Sequence, residues 1–150
     1  MLDLQKAKRL LKERGLTLVI VKDGKVIFET KKSGIQGFLE AIEKFNEMLA
    51  GSSVADKIIG RATALLCAYS KVKEAFASVL SFDGKRILEE NKIYYEFEEL
   101  VPRILDKDRR ESCPFERFSK SINNPREAYT KLKKLAEKLA KQEKFNNRVF

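Results

Sequence analysis

The sequence contains no histidine among its 150 residues, and this absence excludes several kinds of chemistry. There can be no Ser-His or Cys-His nucleophile pair, no imidazole metal ligand, and no side chain that titrates near neutrality without a perturbed pKa. Cysteine is scarce as well, because only Cys67 and Cys113 are present. Two cysteines so far apart indicate reduced thiols rather than a disulfide framework.

Long apolar runs are also absent. No segment approaches the roughly 18 residues of a membrane span. The first 15 residues are charged and lack the apolar core of a signal peptide. Low-complexity tracts and linkers rich in Pro, Gly or Ser are missing too. We therefore expect a cytoplasmic protein without membrane contact, folded as a single domain over residues 1–150.

Positive charge is abundant but unevenly placed. The chain has 31 Lys and Arg against 22 Asp and Glu, for a net charge of +9. Residues 1–14 carry +3 and residues 125–150 carry +5, whereas residues 15–124 carry only +1. The excess favours an anionic partner, and nucleic acid is one alternative. Because the charge lies at the two ends, it says little about the central part of the chain.

Both ends are predicted to be basic amphipathic helices, at residues 2–14 and 125–146. In the second helix, lysines share one face and apolar residues share another. The apolar stripe predicts packing on the domain core, and pairing with a second copy in a homodimer is the alternative. The lysines of the opposite face are Lys131, Lys134, Lys138 and Lys141.

The central residues, about 15–122, alternate between strand and helix patterns. Two β-rich runs, 16–21 and 26–30, flank an Asp-Gly pair that is typical of a tight hairpin. Helices are predicted at 34–49, 54–69, 82–91 and 114–122, and strands at 74–81 and 92–97. The last two strands with their helix form a β-α-β unit, which is almost always a parallel, right-handed crossover. The sequence therefore predicts an α/β fold, a three-layer α/β/α sandwich with a mixed four-stranded sheet.

Two predicted helix starts could carry chemistry. Ser53 stands at an N-cap position with Asp56 three residues later, which is the spacing of a capping box. If this apolar helix pointed its N-terminus into a cleft, free backbone N–H groups would attract an anion there. In that case Asp56 would bind a hydroxyl or amide group, or act as an acid or base if it were desolvated. The alternative is that Ser53 and Asp56 serve as caps only.

The second start is Cys113-Pro114-Phe115-Glu116. Proline at the first helical position makes Cys113 the N-cap and places Glu116 at the reciprocating position. A thiol at a helix N-terminus has a lowered pKa and can be a nucleophile. The alternative is a turn residue that only packs. Cys67, in the middle of an apolar run, is predicted to be an inert core thiol, and the Asn124-Pro125 start is predicted to be a cap alone.

The chain resembles a small bacterial and archaeal family of unknown function whose fold is that of the cytidine deaminases. The resemblance runs from about residue 16 to 118. It depends on the hairpin 18–29, the segment 53–62, Leu100-Val101-Pro102, and Cys113-Pro114-Phe115-Glu116. It implies a deaminase-like sheet with a pocket at the helix starts.

The same resemblance implies that the zinc ligands of deaminases are missing. Deaminases carry His-Ala-Glu at the start of the first core helix, a place aligned here with Val54-Ala55-Asp56. They carry Pro-Cys-x-x-Cys at the next helix start, which here is Ser81-Phe82-Asp83-Gly84-Lys85. Zinc deamination needs three nitrogen or sulfur ligands and an activated water. We therefore expect no metal and no cofactor.

These observations support three functional hypotheses. In the first, a metal-free deaminase-like domain binds a small anionic ligand, such as a nucleotide or nucleotide sugar, through Ser53, Asp56, Lys57 and Cys113. In the second, the protein is an enzyme with Cys113 as nucleophile or redox thiol and Asp56 or Glu116 as its acid–base partner. In the third, the basic terminal helices bind nucleic acid, although no aromatic residues are interleaved with their lysines for base stacking.

Overall fold

The computed structural model describes residues 2–105 and 114–149. In that part of the chain the order is helix α1 (Leu2–Glu13), strands β1 (Leu18–Lys22) and β2 (Lys25–Thr30), helix α2 (Gln36–Phe45), strand β3 (Ser53–Ile59), helix α3 (Arg61–Tyr69), strand β4 (Glu74–Ser81), helix α4 (Phe82–Glu90), strand β5 (Tyr94–Val101), and helices α5 (Pro114–Ser119) and α6 (Ala128–Val149). Single 3₁₀ turns follow α2 and precede α6.

The sheet has five strands in the order β2-β1-β3-β4-β5, one more than the sequence predicts. β1 pairs antiparallel with both β2 and β3, while the pairs β3–β4 and β4–β5 are parallel. The predicted hairpin is confirmed. Its two-residue turn places both Asp23 and Gly24 at positive φ (51° and 79°), as a type I′ turn requires.

The additional strand corrects the prediction of one helix over residues 54–69. Ser53–Ile59 is a strand, and only Arg61–Tyr69 is helical. A strand that is covered on both faces is as apolar as a buried helix, so periodicity could not separate the two. Gly60, which lies between them, marks the real boundary.

Helices cover both faces of the sheet. On one face α1 buries Leu4, Ala7, Leu10 and Leu11 against Val19, Ala55 and Phe76 and their neighbours. On the other face α2, α3 and the start of α6 pack on the even-numbered side chains of β1, including Leu18 and Ile20. The three-layer α/β/α class is therefore confirmed, and β1 is buried on both faces as predicted.

Strand β5 lies at the edge of the sheet and is largely exposed. Its carboxylates Glu96 and Glu98 pair with Lys8 and Lys12 of α1. Neighbouring basic residues are paired as well, because Arg9 of α1 contacts Glu13, and Arg14, directly after α1, contacts Glu29 of β2. Charges that are used inside the molecule are less available to nucleic acid.

The first part of the C-terminal helix α6 packs against the hydrophobic core. Ala128 and Leu132 are fully buried, and Tyr129 stacks on Tyr69 of α3 with ring centroids 5.6 Å apart. The first half of its apolar stripe therefore packs on the chain itself. A homodimer through this stripe stays a prediction. No helix in the described residues combines the length and apolarity needed to cross a membrane.

Candidate functional site

The residues predicted from the first helix start lie in a strand. Ser53, Asp56 and Lys57 belong to β3, so Ser53 and Asp56 do not form a capping box. The hydroxyl of Ser53 donates to Oε1 of Glu74 at 2.6 Å, and both residues are buried. Lys57 is exposed, and its backbone N–H donates to the carbonyl of Thr17. The prediction that these residues meet at helix N-termini is therefore wrong.

Asp56 is a buried carboxyl group in the sheet. It is 8% exposed, and its Oδ1 accepts the backbone N–H of Ile58 at 3.1 Å. Burial raises the pKa of Asp56 to about 7, against the lowering effect of backbone hydrogen bonds from Ile58 and Lys57. Cys67 is fully buried, as predicted for a core thiol, and burial followed by the nearby charge of Asp56 raises its pKa.

Cys113 lies outside the described residues, and its role as cap or nucleophile stays a prediction. Glu116, three residues later, lies in α5 and binds the start of another helix. Its Oε2 accepts the N–H of Arg61 and its Oε1 the N–H of Ala62, both at 2.9 Å. The carboxylate therefore caps α3, where two free backbone donors and the helix dipole favour negative charge.

The cap is reciprocal, because the side chain of Arg61 secures the end of α5. Its Nε donates to the carbonyl of Ser119 at 3.0 Å, and a terminal nitrogen donates to the carbonyl of Ile122 at 2.8 Å. Arg61 is only 8% exposed. Glu116 of α5 thus binds the start of α3, and Arg61 of α3 binds the end of α5. We call this pair of residues the α3–α5 lock.

Two glycines make this crowded corner possible. A Cβ added at Gly60 would lie 2.5 Å from the carboxyl carbon of Glu116. A Cβ added at Gly84, in the first turn of α4, would lie 2.9 Å from the carbonyl oxygen of Ile59. Backbones of α4 and of the β3–α3 junction therefore approach closely, and the Ser81 hydroxyl caps α4 by accepting the N–H of Gly84 at 2.9 Å.

Gly60→Ala is expected to push Glu116 off the α3 cap and to lower the free energy of unfolding by about 1–3 kcal/mol, mostly through the lost hydrogen bonds. Chemical denaturation of Gly60→Ala, Glu116→Ala and the double variant would measure this effect. Since the methyl group acts by displacing the carboxylate, Gly60→Ala should cost much less when Glu116 is already alanine. Costs that simply add in the double variant would contradict the steric explanation.

A cavity of about 240 Å³ adjoins the lock at the carboxyl ends of β4 and β5. Ligands of open α/β sheets bind at this edge. Two basic and two acidic side chains line it together with the Ser81 hydroxyl. The lining residues are Ser81, Asp83, Pro102, Arg103, Ile104, Glu116 and Lys120. A second cavity of about 330 Å³, between α2 and α6, has Lys32 and Glu40 already paired at 2.7 Å.

The first cavity is lined by equal numbers of basic and acidic side chains, but its surroundings raise the pKa of Glu116 overall. Burial raises the pKa of Glu116, hydrogen bonds from Ala62 and Arg61 lower it, and the negative charge of Asp83 raises it further, for a net increase. Asp83 also pairs with Arg86 at 3.1 Å. Of the predicted residues that the structure describes, Glu116 alone lines this cavity. Arg103, Asp83 and Lys120 were missed, since no local pattern marks them.

The arrangement does not fit the zinc site of the deaminases. The true start of the first core helix is Arg61-Ala62-Thr63, and the next helix starts at Phe82-Asp83-Gly84. The nearby carboxylate, Glu116, already uses both oxygens on backbone N–H groups. The described residues hold no group of three or more His, Cys, Asp or Glu arranged for a metal ion.

Fold and site together define a three-layer α/β/α sandwich with a five-stranded mixed sheet and an internally capped first core helix. The chain belongs to the domain of unknown function family DUF1893, whose model matches residues 6–135. The crystal structure of a DUF1893 family protein from Thermotoga maritima has 30% sequence identity and a TM-score of 0.78, covering 85% of this chain and 86% of that one.

Structures of the dCMP deaminase from cyanophage S-TIM5 are also similar. The apo form has 15% identity and a TM-score of 0.47, covering 64% of this chain and 94% of that one. The complex with dCMP and dUMP has 13% identity and a TM-score of 0.44, covering 63% and 92%. A search of the curated proteins finds no match.

Proposed function

We propose that this protein binds a small anionic ligand, such as a nucleotide or nucleotide sugar, without a metal, in the cavity beside the α3–α5 lock. The observation that carries the proposal is the charge lining of this cavity. Arg103 and Lys120 are both exposed and line it from two different segments. Such cations bind phosphate oxygens through charge-assisted hydrogen bonds.

The other polar groups suit the rest of such a ligand. Asp83 accepts hydrogen bonds from sugar hydroxyls or base amino groups, and Ser81 is within the same lining. The volume of about 240 Å³ is below the roughly 300–1,000 Å³ of typical ligand sites. The size therefore favours a phosphorylated sugar or the phosphate-sugar part of a nucleotide over a dinucleotide.

Differential scanning fluorimetry and calorimetry with nucleoside monophosphates, nucleotide sugars and ribose 5-phosphate would test the proposal. We expect at least one ligand to raise the melting temperature of the wild type at millimolar concentration. In Arg103→Ala and Lys120→Ala the affinity should fall by roughly tenfold or more, since each removes a hydrogen bond to a charged group.

Lys138→Ala is the matched control, because Lys138 is an exposed lysine of α6 outside the cavity lining. This variant should bind like the wild type. Absence of any ligand-induced shift in the wild type would refute the proposal. Equal weakening in Lys138→Ala would show non-specific charge attraction in place of a site.

A further inference from the structure

The α3–α5 lock contributes one wall of the proposed binding cavity, and that wall is ionisable. Glu116 uses its two carboxylate oxygens on Arg61 and Ala62 and at the same time lines the cavity with Asp83. An anion that enters the cavity therefore approaches two carboxylates as well as two cations. The two carboxylates oppose the entry of further negative charge, whereas the two cations favour it.

We propose that Glu116 is the proton-linked gate of this cavity and takes up a proton from solvent when an oxyanion binds. This inference concerns regulation of the proposed binding site and rests on that proposed function. Binding would place a negative charge beside a carboxylate that is already partly desolvated. A nearby like charge disfavours the ionised form of a carboxyl group, so proton uptake accompanies binding.

The charged surroundings favour Glu116, rather than the neighbouring Asp83, as the group that takes up the proton. Arg61 on α3 favours its ionised form, and Asp83 on α4 opposes it. Arg103, after β5, and Lys120, after α5, face the same cavity. Asp83 has a 45% exposed side chain and pairs with Arg86. Glu116 is the less solvated acid, and its pKa is already raised.

Linkage fixes the direction of the effect on affinity. If a bound anion raises the pKa of Glu116, protonated Glu116 raises the affinity for the anion by the same factor. Each unit of pKa change corresponds to roughly a tenfold change in affinity between the two protonation states. Binding should therefore strengthen as the pH falls through the range in which Glu116 titrates.

Sulfate is a suitable probe, because its charge is constant between pH 5 and 8. The carboxyl ¹³C resonance of Glu116 and the amide resonances of Arg61 and Ala62 would be followed by NMR across this pH range, with and without sodium sulfate at matched ionic strength. We expect sulfate to raise the pKa of Glu116 in the wild type. In Asp83→Asn without sulfate, the pKa of Glu116 should fall.

Glu116→Gln supplies the complementary measurement, since it removes the proton while keeping a similar shape. Its sulfate affinity should be nearly independent of pH, whereas that of the wild type should increase severalfold from pH 8 to pH 5.5. Amide shifts at Arg103 and Lys120 report whether sulfate enters the cavity at all.

The outcomes separate the two proposals. If sulfate and the phosphorylated ligands leave Arg103 and Lys120 unchanged, the binding function fails, and the gate fails with it. If sulfate binds but the pKa of Glu116 stays fixed, only the gate is overturned. If Asp83→Asn does not lower that pKa, the gate is overturned whether or not sulfate binds.

Discussion

Arg61→Ala is expected to lower the free energy of unfolding by about 3–5 kcal/mol, because it removes two charge-assisted hydrogen bonds from a buried side chain. The carbonyls of Ser119 and Ile122 lose their donor in the interior, where Ser119 and Ile122 are both fully buried. A cavity the size of a guanidinium would also remain between α3 and α5. Urea denaturation at constant pH would measure the loss.

Arg86→Ala is the matched control for this experiment. Arg86 has a 56% exposed side chain and pairs with Asp83 on the surface of α4, so its loss should change stability by less than about 1 kcal/mol. Arg61→Lys keeps the charge but not the fork that reaches both carbonyls, and we expect an intermediate loss. A destabilisation of Arg61→Ala no larger than that of Arg86→Ala would contradict the lock.

Asp56→Asn is expected to make the protein more stable at pH 8 and to change its stability by less than about 1 kcal/mol at pH 4. The folded protein holds the Asp56 proton up to about pH 7, whereas the unfolded chain releases it near 3.8. Between these values the folded state binds more protons, so stability falls as the pH rises. A pKa difference of this size corresponds to about 4 kcal/mol lost between pH 4 and pH 8.

Thermal or urea denaturation across pH 4–8 would reveal this slope in the wild type and its reduction in Asp56→Asn. Asparagine keeps an acceptor for the N–H of Ile58 but carries no charge that burial could penalise. Glu90→Gln is the control, since Glu90 is a carboxylate with a 55% exposed side chain, and its neutralisation should leave the slope in place. Parallel pH profiles for the wild type and Asp56→Asn would refute the assignment.

Local patterns predicted most of the fold, and the reason is visible in particular segments. The Asp23-Gly24 turn defined the hairpin, and the alternation of β4, α4 and β5 defined a parallel unit. The segment 54–69 could not be divided correctly, because a doubly covered strand and a buried helix share one composition. The division falls at Gly60, a glycine within the apolar run, and the charged residue Arg61 follows it directly.

The site was harder to predict because its contacts are distant in sequence. Glu116 stands at the spacing of a capping box in its own helix, yet it binds Arg61 and Ala62, which are 55 and 54 residues away. Arg103, Asp83 and Lys120 come from three different segments and share no motif. Only the parallel order of β3, β4 and β5 brings these helix starts and strand ends to one edge.

The exposed edge at β5 limits how copies of this protein can assemble. Strand addition would place two β5 strands side by side, and the registers of greatest overlap set Glu96 opposite Glu99 or Glu98. Like charges directly opposite one another weaken strand pairing, and charged edges are a common protection against such growth. Self-pairing through β5 is therefore disfavoured, which leaves the helical faces and the opposite edge at β2 as the surfaces through which copies could meet.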